Sequence, residues 1–311
     1  MRYISPLRYP GGKARLAPYI AHLLSRQRPR PRSYAEAFAG GAGAALRLLV
    51  DNEVDYIHIN DLDPGVAALW RCIFFNSGSL IEAVASAKVT IEEWHRHADI
   101  YNNPSGRSDI ELGFSTFFLN RCNRSGILRA RPIGGLDQTG NWKIDARFNR
   151  DSLIERINYL EKLGDRVTIS QMDARSFIRH LEPQSDDILM YVDPPYIIQG
   201  DRLYLDSLTG DDHQQLAELL RQTPVRWLLT YDANKRITEE LYKGFRCVEF
   251  DILHTAQIQR TGVEYAIFGN RLILPEVTGI IGDGNFRWMT SKRKRETSRR
   301  VAENRAAQLN S

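Results

Sequence analysis

The sequence predicts an α/β chain whose strand–helix alternation is split by a mostly helical insertion. Three observations carry this. Short apolar runs, each followed by a helical pattern, occur in residues 33–60 and again in 167–231. Between them, residues 78–122 read as largely helical, with apolar residues from Ile110 to Leu119 on a helical repeat. One run, Asp187-Ile188-Leu189-Met190-Tyr191-Val192, is continuous, apolar and stopped by proline, as a buried strand should be.

In chain order, Leu16 to Gln27 is helix-like and Ser33 to Phe38 is a strand candidate. That strand runs into Ala39-Gly40-Gly41-Ala42-Gly43, a glycine-rich turn that opens a helix reaching about Val50. A second strand, Tyr56 to Asn60, ends at Asp61. Helical pattern resumes at Pro64, because proline is accepted in a first turn. The alternation lapses near Phe75. Residues 123–149 are rich in Gly and Arg with little periodicity. It returns with helix 151–163, strand 167–171, helix 176–181 and the strand before Asp193. Helix 213–222 and strand 227–231 follow, and 245–252 and 265–274 form a candidate pair of late strands. No internal repeat is present.

The run ends in Asp193-Pro194-Pro195-Tyr196. Each proline fixes φ near −65° and removes a donor, so the turn is stiff. An ionised Asp accepts hydrogen bonds and donates none. The Asp193 carboxylate and the Pro194 carbonyl thus make a rigid acceptor pair beside the flat ring of Tyr196. An exocyclic amine on a planar heterocycle needs that arrangement: its N–H groups gripped, its ring stacked, its lone pair left to attack. The alternative is a turn that only caps a sheet.

Composition narrows the function classes. The chain has 311 residues, 42% apolar and 26% charged, as for a soluble globular protein of one domain plus an insertion, or of two domains. No apolar run approaches the roughly 18 residues of a membrane span, and the first residues carry no signal-peptide hydrophobic region. Cys72, Cys122 and Cys247 lie far apart without a C-x-x-C pair, which argues against a zinc site or a disulfide framework. The histidines show no H-x-x-x-H pattern, and His95 and His97 are expected on a polar helical surface. A cytoplasmic, metal-free protein is the expectation. The net charge is +4, but residues 287–311 carry eight basic and two acidic residues, which leaves residues 1–286 at −2. Such a basic block suits phosphate contact and equally suits a solvated tail.

The glycine turn sits between a predicted strand and helix, and Asp61 lies 20 residues beyond Gly41 at the end of the next strand. Glycines let a ligand approach the backbone, and an acid so placed binds ribose hydroxyls. The strict G-x-G-x-x-G is absent, which weakens a reading as a dinucleotide site. S-adenosylmethionine also presents a ribose but has no pyrophosphate, so it needs closeness rather than a phosphate cradle. The plain alternative is a tight turn with Asp61 capping a helix. Arg8-Tyr9-Pro10-Gly11-Gly12-Lys13 is a second glycine turn that lacks the spacing and the Ser/Thr of a P-loop.

Taken together, these motifs resemble the DNA N6-adenine methyltransferases of the Dam-like (D12 class) family, over roughly residues 5–270 and in the family's motif order. Arg8-Tyr9-Pro10-Gly11-Gly12-Lys13 is similar to its W-A-G-G-K opening, and Glu36-Ala37-Phe38-Ala39-Gly40-Gly41-Ala42-Gly43 to its E-P-F-x-G-G-G cofactor loop. Asn60-Asp61-Leu62-Asp63 resembles its ribose element, and Asp173-Ala174 stands where the family has an Asp-Phe pair beside the cofactor adenine. Phe118-Leu119-Asn120-Arg121, then Gly126 and Arg129, resembles a segment that contacts DNA. Val192-Asp193-Pro194-Pro195-Tyr196 is similar to the catalytic motif.

The resemblance implies a Rossmann-like, S-adenosylmethionine-dependent methyltransferase fold. Its discontinuous catalytic domain comprises residues 1–72 and 151–276, its target-recognition insertion residues 73–150, and a basic tail residues 277–311. It implies catalytic roles for Asp193, Pro194, Pro195 and Tyr196. Cofactor binding is implied for Tyr9, Lys13, Phe38, Gly40, Gly41, Gly43, Asp61, Asp173 and Asp193, and DNA binding for Asn120, Arg121, Arg124, Gly126 and Arg129. Double-stranded DNA is the implied partner, with S-adenosylmethionine as methyl donor, no metal, no membrane, and a monomer or weak dimer. A cognate restriction nuclease would be a further partner. Where relatives carry Tyr-Asn before the glycine, this chain has Arg124-Ser125, so neither the aromatic wedge nor the family's GATC target carries over. N6 of adenine in RNA, N4 of cytosine in DNA, and a non-catalytic DNA-binding module of the same fold are the competing readings, since two acceptors grip any exocyclic amine.

Overall fold

The structure, a computed structural model, describes residues 4–8, 13–196, 208–254, 260–276, 279–281 and 286–289. A 3-10 turn, Lys13–Leu16, leads into α1 (Ala17–Arg26) and β1 (Ser33–Glu36), then α2 (Gly43–Val50), β2 (Tyr56–Asn60) and α3 (Pro64–Phe75). Three helices follow: α4 (Ser77–Ser86), α5 (Ile91–Asn102) and α6 (Asp109–Cys122). The second half alternates α7 (Arg150–Glu161), β3 (Val167–Ser170), α8 (Ala174–Leu181), β4 (Ile188–Val192), α9 (Gly210–Gln222) and β5 (Arg226–Asp232). It closes with β6 (Arg246–His254), β7 (Arg260–Phe268) and the short β8 (Phe286–Trp288).

All eight strands form one sheet in the order β3-β2-β1-β4-β5-β7-β6-β8. The first five pair in parallel, and β7 runs antiparallel between β5 and β6. Strand order reverses between β1 and β4, which are direct neighbours with Glu36 opposite Tyr191. In open α/β sheets that reversal opens a crevice outside the carboxyl ends of the strands, where ligands bind.

Every residue of β4 is buried, as a central parallel strand requires. Side chains alternate faces along each strand. Leu189 and Tyr191 join Tyr34, Ile57 and Leu228 in one apolar cluster with α1, α2 and α3. Met190 and Val192 join Ala35 and Leu229 in the other, beneath α8 and α9. Helix α8 buries Ala174, Phe177, Ile178 and Leu181, the i, i+3, i+4, i+7 stripe of an amphipathic helix.

The helices between β2 and β3 share the first cluster. Helix α6 starts in a capping box between Ser108 and Glu111, and it contributes Phe117 and Phe118 to the core below the sheet. On α5, His97 is 3% exposed, which corrects the expected surface position. Its ring packs 4.4 Å from that of Phe118, and Nδ1 lies 2.9 Å from Ser115 Oγ. The helical repeat explains it, because His97, Ile100 and Tyr101 share the buried face.

Asn120, expected at DNA, is 1% exposed and clamps the N-terminal segment. Its Oδ1 accepts from the Arg8 N–H at 2.8 Å, while Nδ2 donates to the carbonyls of Arg8 and Gly126 at 2.8 and 2.9 Å. Gly126 has φ +76°, and a Cβ there would lie 2.2 Å from the Arg8 carbonyl oxygen. Both residues hold the chain that leads to the Lys13 turn. Of the basic block, Arg287 is an exposed residue of the edge strand β8, paired with Glu249 at 2.8 Å. The basic residues from 292 to 305 lie outside the described residues.

Two outcomes follow from these contacts. Gly126→Ala loses at least about 2 kcal/mol of stability in denaturant unfolding, because left-handed backbone and a blocked Cβ act together. Burial and the neighbouring Arg96 hold the His97 pKa down at about 4. A histidine neutral in the fold and at its ordinary value when unfolded contributes stability above about pH 6.5 and loses it as pH falls toward 4. Wild type therefore loses on the order of 2 kcal/mol relative to His97→Leu across that window, read by urea unfolding at stepped pH.

Candidate active site

The carboxyl ends of the five parallel strands gather the residues singled out by the sequence motifs, starting with the loops after β1 and β2. Glu36 ends β1 with a buried carboxyl whose Oε1 accepts from the Ala45 N–H of α2 at 2.8 Å. Burial, partly opposed by that bond, pushes its pKa up to about 8. The chain then turns through Phe38, half-buried against the second cluster, into Gly40 with φ +46°. Ala42, also at φ +46°, caps α2 from the left-handed region. The Gly40 N–H donates to Asp61 Oδ2 at 2.8 Å, and the Gly41 carbonyl accepts from Ser5 Oγ at 2.9 Å. A Cβ on Gly43 would lie 3.1 Å from the Ala14 nitrogen, so helix and turn pack backbone to backbone.

Asn60, absent from the candidate residues, staples three strand ends. Its Nδ2 donates to the carbonyls of Ala37 and Met172, and its Oδ1 accepts from the Met172 N–H, each at 3.0 Å. Next to it, Asp61 Oδ1 accepts from the Asp63 N–H at 3.0 Å. Asp63 caps α3 through the Gly65 and Val66 N–H groups and accepts from the Tyr101 hydroxyl. Asp61 is thereby aimed by two backbone donors at the rim beside the glycine turn.

Asp173 caps α8 through the Arg175 N–H at 2.9 Å, and its carboxylate takes two further bonds from the Arg175 guanidinium, which holds its pKa low. Arg175 also reaches Asp212 and Gln215 on α9. The Asp173 carboxylate thus ties α8 to α9. Its expected cofactor role would have to be shared with this tie, at a carboxylate that is 35% exposed.

At the end of β4, Asp193 Oδ1 accepts from Thr230 Oγ1 at 2.6 Å and lies 3.3 Å from Lys13 Nζ. Thr230 itself is held by the Tyr191 hydroxyl at 2.6 Å. Lys13 Nζ lies 2.7 Å from Glu264 Oε2 and 3.2 Å from the Tyr196 hydroxyl, with the Tyr196 ring centroid 5.7 Å away. The Tyr196 hydroxyl donates to Glu264 Oε1. Burial works against the Lys13 charge, but Asp193 and Glu264 outweigh it and raise its pKa. Burial raises that of Asp193, with Lys13 opposing and the Glu264 charge adding to the rise. Pro194 is buried and Pro195 half-buried beside them.

Glu264 and Thr230 are the members that sequence reading missed. Lys13, Asp193 and Tyr196 are brought together across the sheet, with Phe38, Gly40, Gly41, Gly43 and Asp61 on the neighbouring strand ends. Tyr9 lies outside the described residues. Arg121, expected at DNA, is half-buried and ties two segments of the chain. Its guanidinium donates to the carbonyls of Arg147 and Pro6, and burial together with Arg8 and Arg156 pulls its pKa down to about 9. Arg124 and Arg129 are exposed.

Among the described residues, no group of three or more His, Cys, Asp or Glu side chains is arranged to hold a metal ion, and no helix is long and apolar enough to cross a membrane. A comparison with the curated proteins returns no match. Among solved structures the chain is similar to the rRNA methyltransferase aviRa from Streptomyces viridochromogenes, at 14% identity and a TM-score of 0.35, covering 82% of this chain and 83% of that one. The match to the family described as D12 class N6 adenine-specific DNA methyltransferase spans residues 9–259, the glycine turns, the helical segment and the Asp-Pro-Pro-Tyr motif together. With most of its length inside that match, the chain belongs to the D12 class of S-adenosylmethionine-dependent adenine methyltransferases.

Proposed function

We propose that this enzyme moves a methyl group from S-adenosylmethionine to N6 of an adenine turned out of double-stranded DNA. The observation that carries the reading is the fixed orientation of Asp193. Thr230 and Lys13 both meet its Oδ1, which fixes the carboxylate at the end of β4 and supports its use as an acceptor for the amine.

The strand ends also fit the methyl donor. The Gly40 turn lets a ligand lie against backbone, Gly43 lets the helix start pack closely, and Asp61 is aimed at the same rim as a partner for ribose hydroxyls. When bound, S-adenosylmethionine supplies a methyl group on a positively charged sulfur, an electrophile that needs no further activation. The chain's own work is therefore positioning and electrostatics.

The Asp193 carboxylate and the Pro194 carbonyl accept the two N6–H bonds, and the Tyr196 ring lies against the base. Bond formation at N6 makes its remaining protons acidic. Asp193 is the nearest group to take one, and its raised proton affinity suits that task. Turning the base out costs a few kcal/mol. Contacts from the helical segment, residues 73–150, would offset that cost. Arg124 and Arg129, both exposed, are the proposed cations there.

Asp193→Ala is expected to lower the single-turnover methylation rate by on the order of 10³-fold or more, with an unchanged circular dichroism spectrum. Wild-type methylation of DNA by that folded variant sinks the mechanism. Digestion of treated DNA and RNA to nucleosides, followed by mass spectrometry, separates N6-methyladenine from N4-methylcytosine and DNA from RNA. Asp61→Ala is expected to weaken S-adenosylmethionine binding roughly ten- to hundredfold in calorimetry, since hydrogen bonds to a charged group contribute about 1.5–3 kcal/mol. An unchanged heat of binding removes Asp61 from the cofactor site.

A further inference from the structure

We propose that Glu264, on β7, is a positioning residue for methyl transfer: it draws the Lys13 ammonium and the Tyr196 hydroxyl to its own carboxylate, which leaves Asp193 available to the target amine. The proposal rests on the reading of Asp193 as the acceptor for that amine.

Glu264 is 1% exposed, in the middle of the sheet, opposite Asp232 on β5 and Phe250 on β6. A carboxylate so buried costs several kcal/mol unless it is paired. Among the described residues, neither oxygen serves a helix cap or a backbone donor. Oε2 takes the Lys13 ammonium at 2.7 Å, and Oε1 takes the Tyr196 hydroxyl. Both partners belong to the site, one from the N-terminal turn and one from the loop after β4.

The distances say which acid holds Lys13. Its ammonium is 2.7 Å from Glu264 but 3.3 Å from Asp193. If the Glu264 charge is removed, Asp193 becomes the ammonium's remaining carboxylate partner and the contact tightens. A tightened Lys13–Asp193 pair competes with the amine for the same carboxylate, and the Tyr196 hydroxyl loses its charged acceptor. A misplacement of this kind at a reacting centre costs rate rather than cofactor affinity.

The charges around Asp193 give a signature that a purely structural glutamate lacks. Asp193 faces Lys13 from the 3-10 turn and Glu264 from β7. Glu36 and Tyr34 face it from β1, Tyr191 from β4, Tyr231 from β5, and Tyr196 from its own loop. A second negative charge nearby favours the protonated form of a carboxyl group. Neutralising Glu264 therefore makes Asp193 hold its proton less tightly, and activity persists to lower pH.

The test measures single-turnover transfer from tritiated S-adenosylmethionine to DNA across pH for the full chain and for Glu264→Gln and Glu264→Asp. Thermal unfolding and calorimetric affinity for S-adenosylmethionine are measured beside it. For Glu264→Gln the rate is expected to fall roughly ten- to hundredfold with cofactor affinity kept, and the acid limb is expected to move to lower pH. Glu264→Asp keeps the charge but shortens the reach, so its rate falls while its acid limb stays in place. Wild-type rate and an unmoved acid limb in folded Glu264→Gln overturn the proposal, as does a loss confined to melting temperature. If Glu264→Gln does not fold, a wild-type rate in Glu264→Asp overturns it. An active Asp193→Ala removes the underlying reading instead. An inactive Asp193→Ala beside a wild-type Glu264→Gln removes only the role of Glu264.

Discussion

The ammonium of Lys13 ties three parts of the chain to one another: the N-terminal turn, the loop after β4 and strand β7. Its side chain is 10% exposed, between Glu264 at 1% and Asp193 at 20%. Burying such groups singly would cost several kcal/mol each, and removing one partner leaves an uncompensated charge worth about 3–5 kcal/mol. The cluster is therefore cooperative. It assembles when the N-terminal turn, the loop after β4 and the antiparallel strand β7 are all in place. Two acids share one base, so the cluster leans negative. Burial raises the proton affinity of Asp193, the more exposed acid, against the pull of Lys13, and the Glu264 charge adds to the rise.

A second constraint acts through backbone polar groups at the strand ends. Where the sheet stops at the switch point, carbonyls and N–H groups lose their ladder partners and need others. Asn60 supplies them for Ala37 and Met172, and Asp61 supplies one for Gly40. The residues that shape the crevice are thus the same ones that satisfy its rim. The acid proposed for the ribose is already oriented by the turn that would cradle the rest of the ligand.

The parallel half of the fold and the centre of the site were legible because each depended on local signals. Continuous apolar character marked β4, glycines marked the turn after β1, and paired prolines marked a rigid acceptor. Glu264 was not legible, because an acid in Gly262-Val263-Glu264-Tyr265 reads as an outward polar position on a half-buried strand. Its inward direction is set by pairing β7 between β5 and β6, a non-local fact. The intrachain ties of Asn120 and Arg121 were not legible either. The resemblance offered them a role at DNA, and their hydrogen bonds run to Arg8, Gly126, Pro6 and Arg147. Polar residue type alone does not separate a group facing solvent from one that satisfies a buried carbonyl. His97 was misplaced for a similar reason, since the pattern around it is polar on three sides of the helix and apolar on one.

Asn120 links the end of α6 to the segment that carries Lys13. Arg8 is fixed by Asn120 at the end of α6, and Lys13 is fixed by Asp193 and Glu264 at the sheet. Five residue steps separate the two anchors, and a chain spans at most about 3.6 Å per residue, so they stay within about 18 Å of each other. Whatever the loop after α6 holds is thereby kept within a fixed reach of the amine's acceptor. The neighbouring Arg124 and Arg129 are carried on that same loop, whose Gly126 packs against the Arg8 carbonyl.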